Sequence, residues 1–338
     1  MKDTLILHLT DLHWNPLQKL PQSARENYHE IVAKEFLELK NQIEDLKLGY
    51  KNIHICISGD LFNLKTQSLY HPKVINYYSQ LVEETFKDLK VYCIAGNHDL
   101  TQSSFDLIEE SAYNIWTKST KNVIDVNNKT ININENLTIS GIPYYHLDEA
   151  KIKLQDFELN SSKTNIMLLH SDIFKDEKEV DWYLEKFITF EEVCKINSNL
   201  DLCLLGHIHK EMPITKISHV KDTWFSKPHA FSRMSKEYLT KKNLEDSYPT
   251  YSLIEIENNK IVNIEYKQIK LYESEQFLDF NELEKIKERS SKFNDFIQQI
   301  QNSFGTIEES FAVQNADDIY NKMEISKEVK EVINKYIE

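Results

Sequence analysis

Five short apolar runs mark the first two hundred residues, at 5–9, 53–57, 91–95, 166–169 and 202–205. Each is rich in leucine or β-branched side chains and bounded by polar residues. Short runs without polar alternation are how strands read when both of their faces are buried. Longer stretches of helical spacing separate them. Between the first two runs a helix of roughly two dozen residues is predicted. Ser23 and Glu26 form a capping-box pattern at its start, and Gly49 follows its end. A second helix is predicted from about Pro72 to Asp88, with proline in its first turn. From 122 to 142, alternating Val, Ile and Asn suit strands and hairpins, and 251–257 and 261–266 repeat this around an Asn258-Asn259 turn. The pattern describes an α/β core with antiparallel strands added. After about 272 it becomes helical, through Phe277, Phe280, Leu283 and Ile286 and then Phe293, Phe296, Ile297 and Ile300. Two regions follow: 1–270, the α/β domain, and 271–338, a helical C-terminal region.

Composition narrows the class. The 338 residues are 41% hydrophobic and 28% charged, enough for a sizeable core and unlike a disordered chain. No apolar run approaches the ~20 residues that cross a bilayer, and the N-terminus has no cleavage-site pattern, so no membrane association is expected. Cys56, Cys93, Cys194 and Cys203 are scattered, and three lie in apolar runs; they read as reduced core thiols of a cytoplasmic protein. A net charge of -14 argues against indiscriminate coating of nucleic acid. The charge is uneven, however: 271–338 carries 15 acidic and 8 basic side chains, whereas 210–245 holds eight Lys or Arg against four Asp or Glu. A solvated lysine-rich loop accounts for that basic stretch as well as a phosphate contact does.

Candidate chemistry lies at the end of each apolar run: Asp11-Leu12-His13, Gly59-Asp60, Gly96-Asn97-His98-Asp99, His170 and Gly206-His207-Ile208-His209. Three of the chain's six glycines directly precede a candidate ligand. Sites in open α/β sheets form at the carboxyl ends of strands, where separate loops can converge. Carboxylate, imidazole and amide oxygen suit divalent manganese, iron or zinc. The set exceeds what one ion uses, and a metal pair sharing Asp60 uses it fully. Taken singly the pieces are weak, since Asp-x-His arises about once by chance in such a chain and Gly-Asp is a common turn. Their order and their placement after strands carry the reading.

In this order the five motifs resemble those of the calcineurin-like metallophosphoesterases, over a stretch from Thr4 to about Lys267. Within that superfamily LHLTDLHW at 7–14, ISGDLFNLKTQS at 57–68, VYCIAGNHDL at 91–100, SGIPYY at 140–145 and LLGHIHK at 204–210 look most like SbcD-type DNA repair and recombination nuclease subunits. The resemblance implies two facing mixed β-sheets flanked by helices. It also implies two divalent ions, Mn²⁺ foremost, with Fe, Zn, Ni or Mg as alternatives. Asp11, His13, Asp60 and His209 would hold one ion; Asp60, Asn97, His170 and His207 the other. A water activated by the metal pair would attack phosphorus, His98 would serve the leaving oxygen, and Asp99 would orient the His98 imidazole. The implied function is a DNA exo- or endonuclease subunit working with an SMC-like ATPase of the SbcC type, docked through the helical tail. A homodimer is compatible with it. The alternative is a stand-alone phosphodiesterase or phosphatase acting on a nucleotide, RNA or other small phosphoester. A metal-free scaffold would have eroded ligands, and none is eroded.

Departures from the pattern bear on substrate. Asn63 occupies a place where these nucleases often carry His or Asp, and Lys227-Pro228-His229 stands in place of a Gly-Ser-Pro-like turn. Asn63 and Arg233 are the candidate substrate contacts, Arg233 because guanidinium binds phosphate bidentately. His8 and His54 lie within apolar runs and read as structural.

Overall fold

The computed structural model describes residues 1–17, 24–66, 69–176, 186–232, 248–276, 278–282, 285 and 288. In chain order it has β1 (Lys2–Leu9), α1 (Tyr28–Lys47), β2 (Tyr50–Ser58), α2 (Pro72–Thr85), β3 (Lys90–Ile94), α3 (Ala112–Ser119), β4 (Val123–Asp125), β5 (Lys129–Asn132) and β6 (Leu137–Ile142). It continues with α4 (Leu147–Asp156), β7 (Thr164–His170), β8 (Ile173–Phe174), β9 (Ile188–Thr189), α5 (Phe190–Ile196), β10 (Leu202–Gly206), β11 (Met212–Ser218), β12 (Asp222–Lys227), β13 (Thr250–Glu257) and β14 (Lys260–Gln268).

Twelve of the strands form two six-stranded mixed sheets, ordered β14-β13-β1-β2-β3-β4 and β11-β12-β10-β7-β6-β5, and β8 and β9 pair in parallel as a separate two-stranded sheet. β1 to β4 pair in parallel, and β13 and β14 extend that sheet antiparallel. In the second sheet β6, β7, β10 and β12 are parallel, with β5 and β11 antiparallel at the edges. Packing explains why the five runs are apolar throughout. Leu5, Leu7 and Leu9 of β1 join Phe36 and Leu39 of α1 and Val74 and Tyr78 of α2. Ile6, on the opposite face, meets Cys56, Tyr92, Ile166, Leu168, Leu202 and Leu204 between the sheets. On the far side Met167, Leu169, Cys203 and Leu205 pack against α4 and α5. Every residue of the five runs except half-buried His54 is therefore buried against a packed layer, and each large aliphatic one contributes about 1.5–3 kcal/mol by leaving water. This is the predicted α/β two-sheet architecture flanked by helices.

Local expectations mostly match. α2 begins with Pro72 in its first turn, and His71 accepts the Lys73 N–H at its N-cap. Asn258 and Asn259 both have positive φ, 49° and 60°, as a tight β13–β14 hairpin requires. α1, at 20 residues, begins later than expected, with Asn27 at its N-cap position and no side-chain cap; Ser23 lies outside the described residues. All four cysteines are free and buried. Among the described residues no helix is long and apolar enough to cross a membrane. In the C-terminal region Leu278 is buried against Tyr28 and Ile31 of α1. Most of the expected helical periodicity, including Phe293, Phe296 and Ile300, lies outside the described residues. In the basic stretch, Lys216 pairs with Asp222 and Lys221 with Asp201, so those two charges are used locally.

His8 is wholly buried between the sheets, its Nε2 2.8 Å from Ser58 Oγ. Burial, helped by the charge of Lys227, pushes its pKa down to about 3. Unfolded, it protonates near 6.5, so between those values the unfolded chain binds the extra proton and stability falls as pH falls. His8 should therefore contribute a loss of about 2–3 kcal/mol between pH 7 and pH 4.5. Urea unfolding at the two pH values should show a His8→Asn variant losing less stability by that amount.

Candidate metal centre

All five ligand-bearing clusters follow the carboxyl ends of central strands, β1, β2 and β3 from one sheet and β7 and β10 from the other. The two sheet edges are stitched together there. The Asp11 N–H donates to the Gly59 carbonyl (3.1 Å), the His13 N–H to the Asp60 carbonyl (2.9 Å) and the His207 N–H to Asp11 Oδ1 (3.1 Å). Asp11, His13, Asp60 and His207 all have positive φ, between 44° and 81°, a left-handed conformation that non-glycine residues rarely hold. Gly59, at φ 88°, makes the turn before Asp60. At Gly206 a Cβ would land on the Ser58 carbonyl oxygen and crowd His170, so the close approach of β10 to β2 needs glycine.

Two ligand groups converge. Asp11, His13, Asp60 and His209 place donor atoms within 4.8 Å of one another, as do Asp60, His170 and His207. Asp60 belongs to both: its Oδ2 is 3.7 Å from His13 Nε2 and 3.4 Å from His170 Nε2. Asn97 Oδ1 completes the second group, 3.2 Å from His170 Nε2 and 3.1 Å from His207 Nδ1. In the first, the Nε2 atoms of His13 and His209 face each other at 2.8 Å.

The donor chemistry fits divalent cations. The His170 Nδ1–H donates to the Ser58 carbonyl at 2.7 Å, which leaves the Nε2 lone pair directed at Asp60 and Asn97. His207 Nε2 is 2.9 Å from Asp172 Oδ1, which leaves Nδ1 as its inward lone pair. Lone pairs of nitrogen and oxygen thus meet with few protons between them, an arrangement that a cation satisfies. Charge balance points the same way. Burial penalises the Asp60 carboxylate, yet His170, His98 and His13 hold its pKa well below the ordinary range. Asp11 behaves likewise through Lys227, His209 and His170. Burial also opposes charge on His170, but Asp60 and Asp11 raise it to about 9, so without a cation a proton on Nε2 supplies the positive charge the carboxylates demand, and a bound ion would take that proton's place. Burial and the neighbouring His209 lower His13 to about 3.

His98 stands beside the first group, its ring centroid 4.9 Å from His13 and its main-chain N–H donating to Asp60 Oδ1 at 2.8 Å. The orientation expected of Asp99 needs correction. The Asp99 carboxylate accepts the N–H groups of Leu61 (3.1 Å), Phe62 (2.8 Å) and Gly96 (2.8 Å), tying the β2 and β3 loops together. His98 Nδ1 instead lies 2.6 Å from the Asn63 carbonyl oxygen. Three main-chain donors satisfy the carboxylate more fully than one imidazole would, because they are buried and have no other acceptor. Asn63 thus serves through its main chain, while its side chain donates to Asn15 Oδ1 at 3.1 Å. Arg233 lies outside the described residues.

Three neighbours of the centre had no role assigned from the sequence. Tyr144, half-buried, places its ring centroid 5.5 Å from that of His207. Asp172 follows His170 by two residues, and buried Lys227 ends β12 with Nζ 3.4 Å from Asp11 Oδ2. Their signal was positional only: each ends or follows a strand at the same sheet edge as the ligands.

This two-sheet fold, with a site at its joined carboxyl edges, defines a class of metallophosphoesterases. The profile of the family described as "Calcineurin-like phosphoesterase" matches residues 4–211, and the chain belongs to that family. It is accordingly a phosphoester hydrolase with candidate ligands for the dinuclear metal centre such enzymes use. Comparison with curated proteins gives no match. Among solved structures, TT1561 of Thermus thermophilus is similar at 13% identity and TM-score 0.44, over 79% of this chain and 99% of that one. A 5'-nucleotidase precursor from the same organism is similar at 11% identity and TM-score 0.45, over 87% of this chain. The match spans 59% of the precursor's length.

Asp99 as a loop anchor and His98 as a reacting group predict opposite outcomes. Asp99→Ala should strand three buried donors and lower unfolding free energy by about 3 kcal/mol or more. His98→Ala should stay within about 0.5 kcal/mol of the parent protein. Chemical denaturation of the two variants side by side checks this.

Proposed function

We propose that this protein is a metal-dependent nuclease subunit that cleaves phosphodiester bonds in DNA. The observation that carries the reading is Tyr144, an aromatic ring in the GIPYY segment standing beside His207 at the rim of the candidate centre. A ring there offers a stacking surface for a nucleobase next to the reacting phosphate, a contact worth about 1–3 kcal/mol per base. The motif stretches that resemble SbcD-type subunits support the same substrate class.

Divalent ions, when bound by the two ligand groups, would acidify water and neutralise charge developing on the phosphoryl oxygens. Asp11, His13, Asp60 and His209 would hold one ion, and Asp60, Asn97, His170 and His207 the other. His98 is assigned to the leaving oxygen. Its Nδ1–H donates to the Asn63 carbonyl, which fixes the ring and turns Nε2 outward as the proton-transferring nitrogen. An SMC-like ATPase of the SbcC type is the proposed partner, docked on the C-terminal region, whose excess of acidic side chains disfavours direct contact with DNA.

Chelation should abolish cleavage of linear duplex DNA and Mn²⁺ should restore it. His98→Ala should lower turnover by roughly 10² to 10⁴ while metal content, read by elemental analysis, stays unchanged. Bis(p-nitrophenyl) phosphate should be hydrolysed in preference to p-nitrophenyl phosphate. Preference for the monoester, with DNA left intact, would instead establish the nucleotidase-like alternative. Co-purification with a coiled-coil ATPase, lost on truncation after Lys270, tests the partner.

A further inference from the structure

We propose that two residues outside the ligand groups, Asp172 and Lys227, make the two metal positions unequal. The position formed by Asp60, Asn97, His170 and His207 binds its ion tightly; that of Asp11, His13, Asp60 and His209 binds weakly and exchanges. The inference rests on the dinuclear reading of the site and goes beyond it, since neither residue belongs to the five motifs.

From the direct ligands alone the opposite order is expected. The first position has two carboxylates and two imidazoles, the second one carboxylate, one amide and two imidazoles. The surroundings reverse this. Asp172, 7% exposed, sets Oδ1 2.9 Å from His207 Nε2. A carboxylate on the outer nitrogen of a ligating histidine fixes the ring's tautomer and orientation and makes the inner nitrogen a better donor. The geometry is complete on both sides of the ring, with Nε2 on Asp172 and Nδ1 facing Asn97 Oδ1 at 3.1 Å.

Lys227 acts in the other direction. Its ammonium is 1% exposed, 3.4 Å from Asp11 Oδ2, and donates to the Pro228 carbonyl at 2.8 Å. Thr10 Oγ1 donates to the same Oδ2 at 2.8 Å. Asp11 is therefore divided: Oδ2 is taken by the hydroxyl and the ammonium, and Oδ1, which also accepts the His207 N–H at 3.1 Å, is the oxygen that faces His209, at 4.0 Å. Burial lowers the Lys227 pKa, and the contact with Asp11, with half-buried Glu211 and Asp60 also attracting the ammonium, opposes that shift. A fixed buried cation beside a ligand both withdraws the ligand's charge and repels an incoming ion, with little water to screen either effect. One position is thus backed by an anion and the other by a cation.

Calorimetric titration of Mn²⁺ into the metal-stripped full chain tests the ranking, with bound Mn²⁺ followed independently by electron paramagnetic resonance. Two binding steps are expected, their dissociation constants separated by about tenfold or more. His13→Ala should delete the weak step and His170→Ala the tight one. Asp172→Asn should weaken the tight step by about 10- to 100-fold and leave the weak one in place. Lys227→Met should tighten the weak step by roughly tenfold, and Lys227→Arg, which keeps the charge, should not. Two equal steps, loss of the tight step in His13→Ala, or weaker binding in Lys227→Met would each overturn the ranking while leaving the dinuclear reading in place. No Mn²⁺ uptake by the parent protein would overturn both. Should Lys227→Met not fold, the His13→Ala and His170→Ala assignments decide the ranking by themselves.

Discussion

Two carboxylates, Asp11 and Asp60, sit fully buried where the edges of two sheets meet, and the rest of the centre answers to that fact. An ionised carboxylate out of water is strongly unfavourable unless positive charge and hydrogen bonds surround it. The surroundings here are imidazoles, one ammonium and a set of main-chain N–H groups, all delivered by different strand ends. None of these partners is adjacent in sequence to both carboxylates, so charge balance at the centre requires both sheets to be formed and joined. Fold and site are for this reason one problem. A cation at the centre would stabilise the folded chain as well as equip it for hydrolysis, because the unfolded chain cannot assemble the same ligands.

The same dependence explains what could be read from sequence and what could not. The five strand ends were legible because parallel strands covered on both faces must be apolar throughout, and each run stops where the chain turns towards the centre. Asp11, His13, Asp60, Asn97, His170, His207 and His209 were legible as a set because their residue types follow those ends in order. The β13–β14 hairpin was legible from a pair of asparagines, since few other residues accept positive φ twice in succession. The role that the resemblance implies for Asp99, orienting His98, is not the one its side chain takes. In the fold its side chain turns back into the loops and takes up donors from Leu61 and Phe62, some forty residues earlier in the chain. Asp172 carries no local signal, and Lys227 stands out in sequence only as part of Lys227-Pro228-His229, where the family pattern is interrupted. A carboxylate after a strand and a lysine at a strand's end are ordinary in sequence, and only the packing of β7, β10 and β12 side by side gives them a role.

Strain at the ligand positions follows from the same geometry. A strand approaching the centre end-on points its side chains across the sheet, whereas a ligand must point forward, past the strand's end. Positive φ at Asp11, His13, Asp60 and His207 achieves that turn within one residue. Each such residue costs on the order of 1–2 kcal/mol relative to an ordinary conformation. Glycine at these four places would remove the strain but also the ligand. The chain instead places glycine immediately before Asp60 and His207 and lets the ligand residues carry the unfavourable angle. Such strain persists only where the surroundings over-determine it. Here the opposing forces are the cross-loop hydrogen bonds, from Asp11 to Gly59, from His13 to Asp60 and from His207 to Asp11, which tie the strained turns to one another. The turns therefore stand or fall together. A change that frees one of them loosens the ligands on both sheets, and the two metal positions share a rigidity that neither sheet could supply alone.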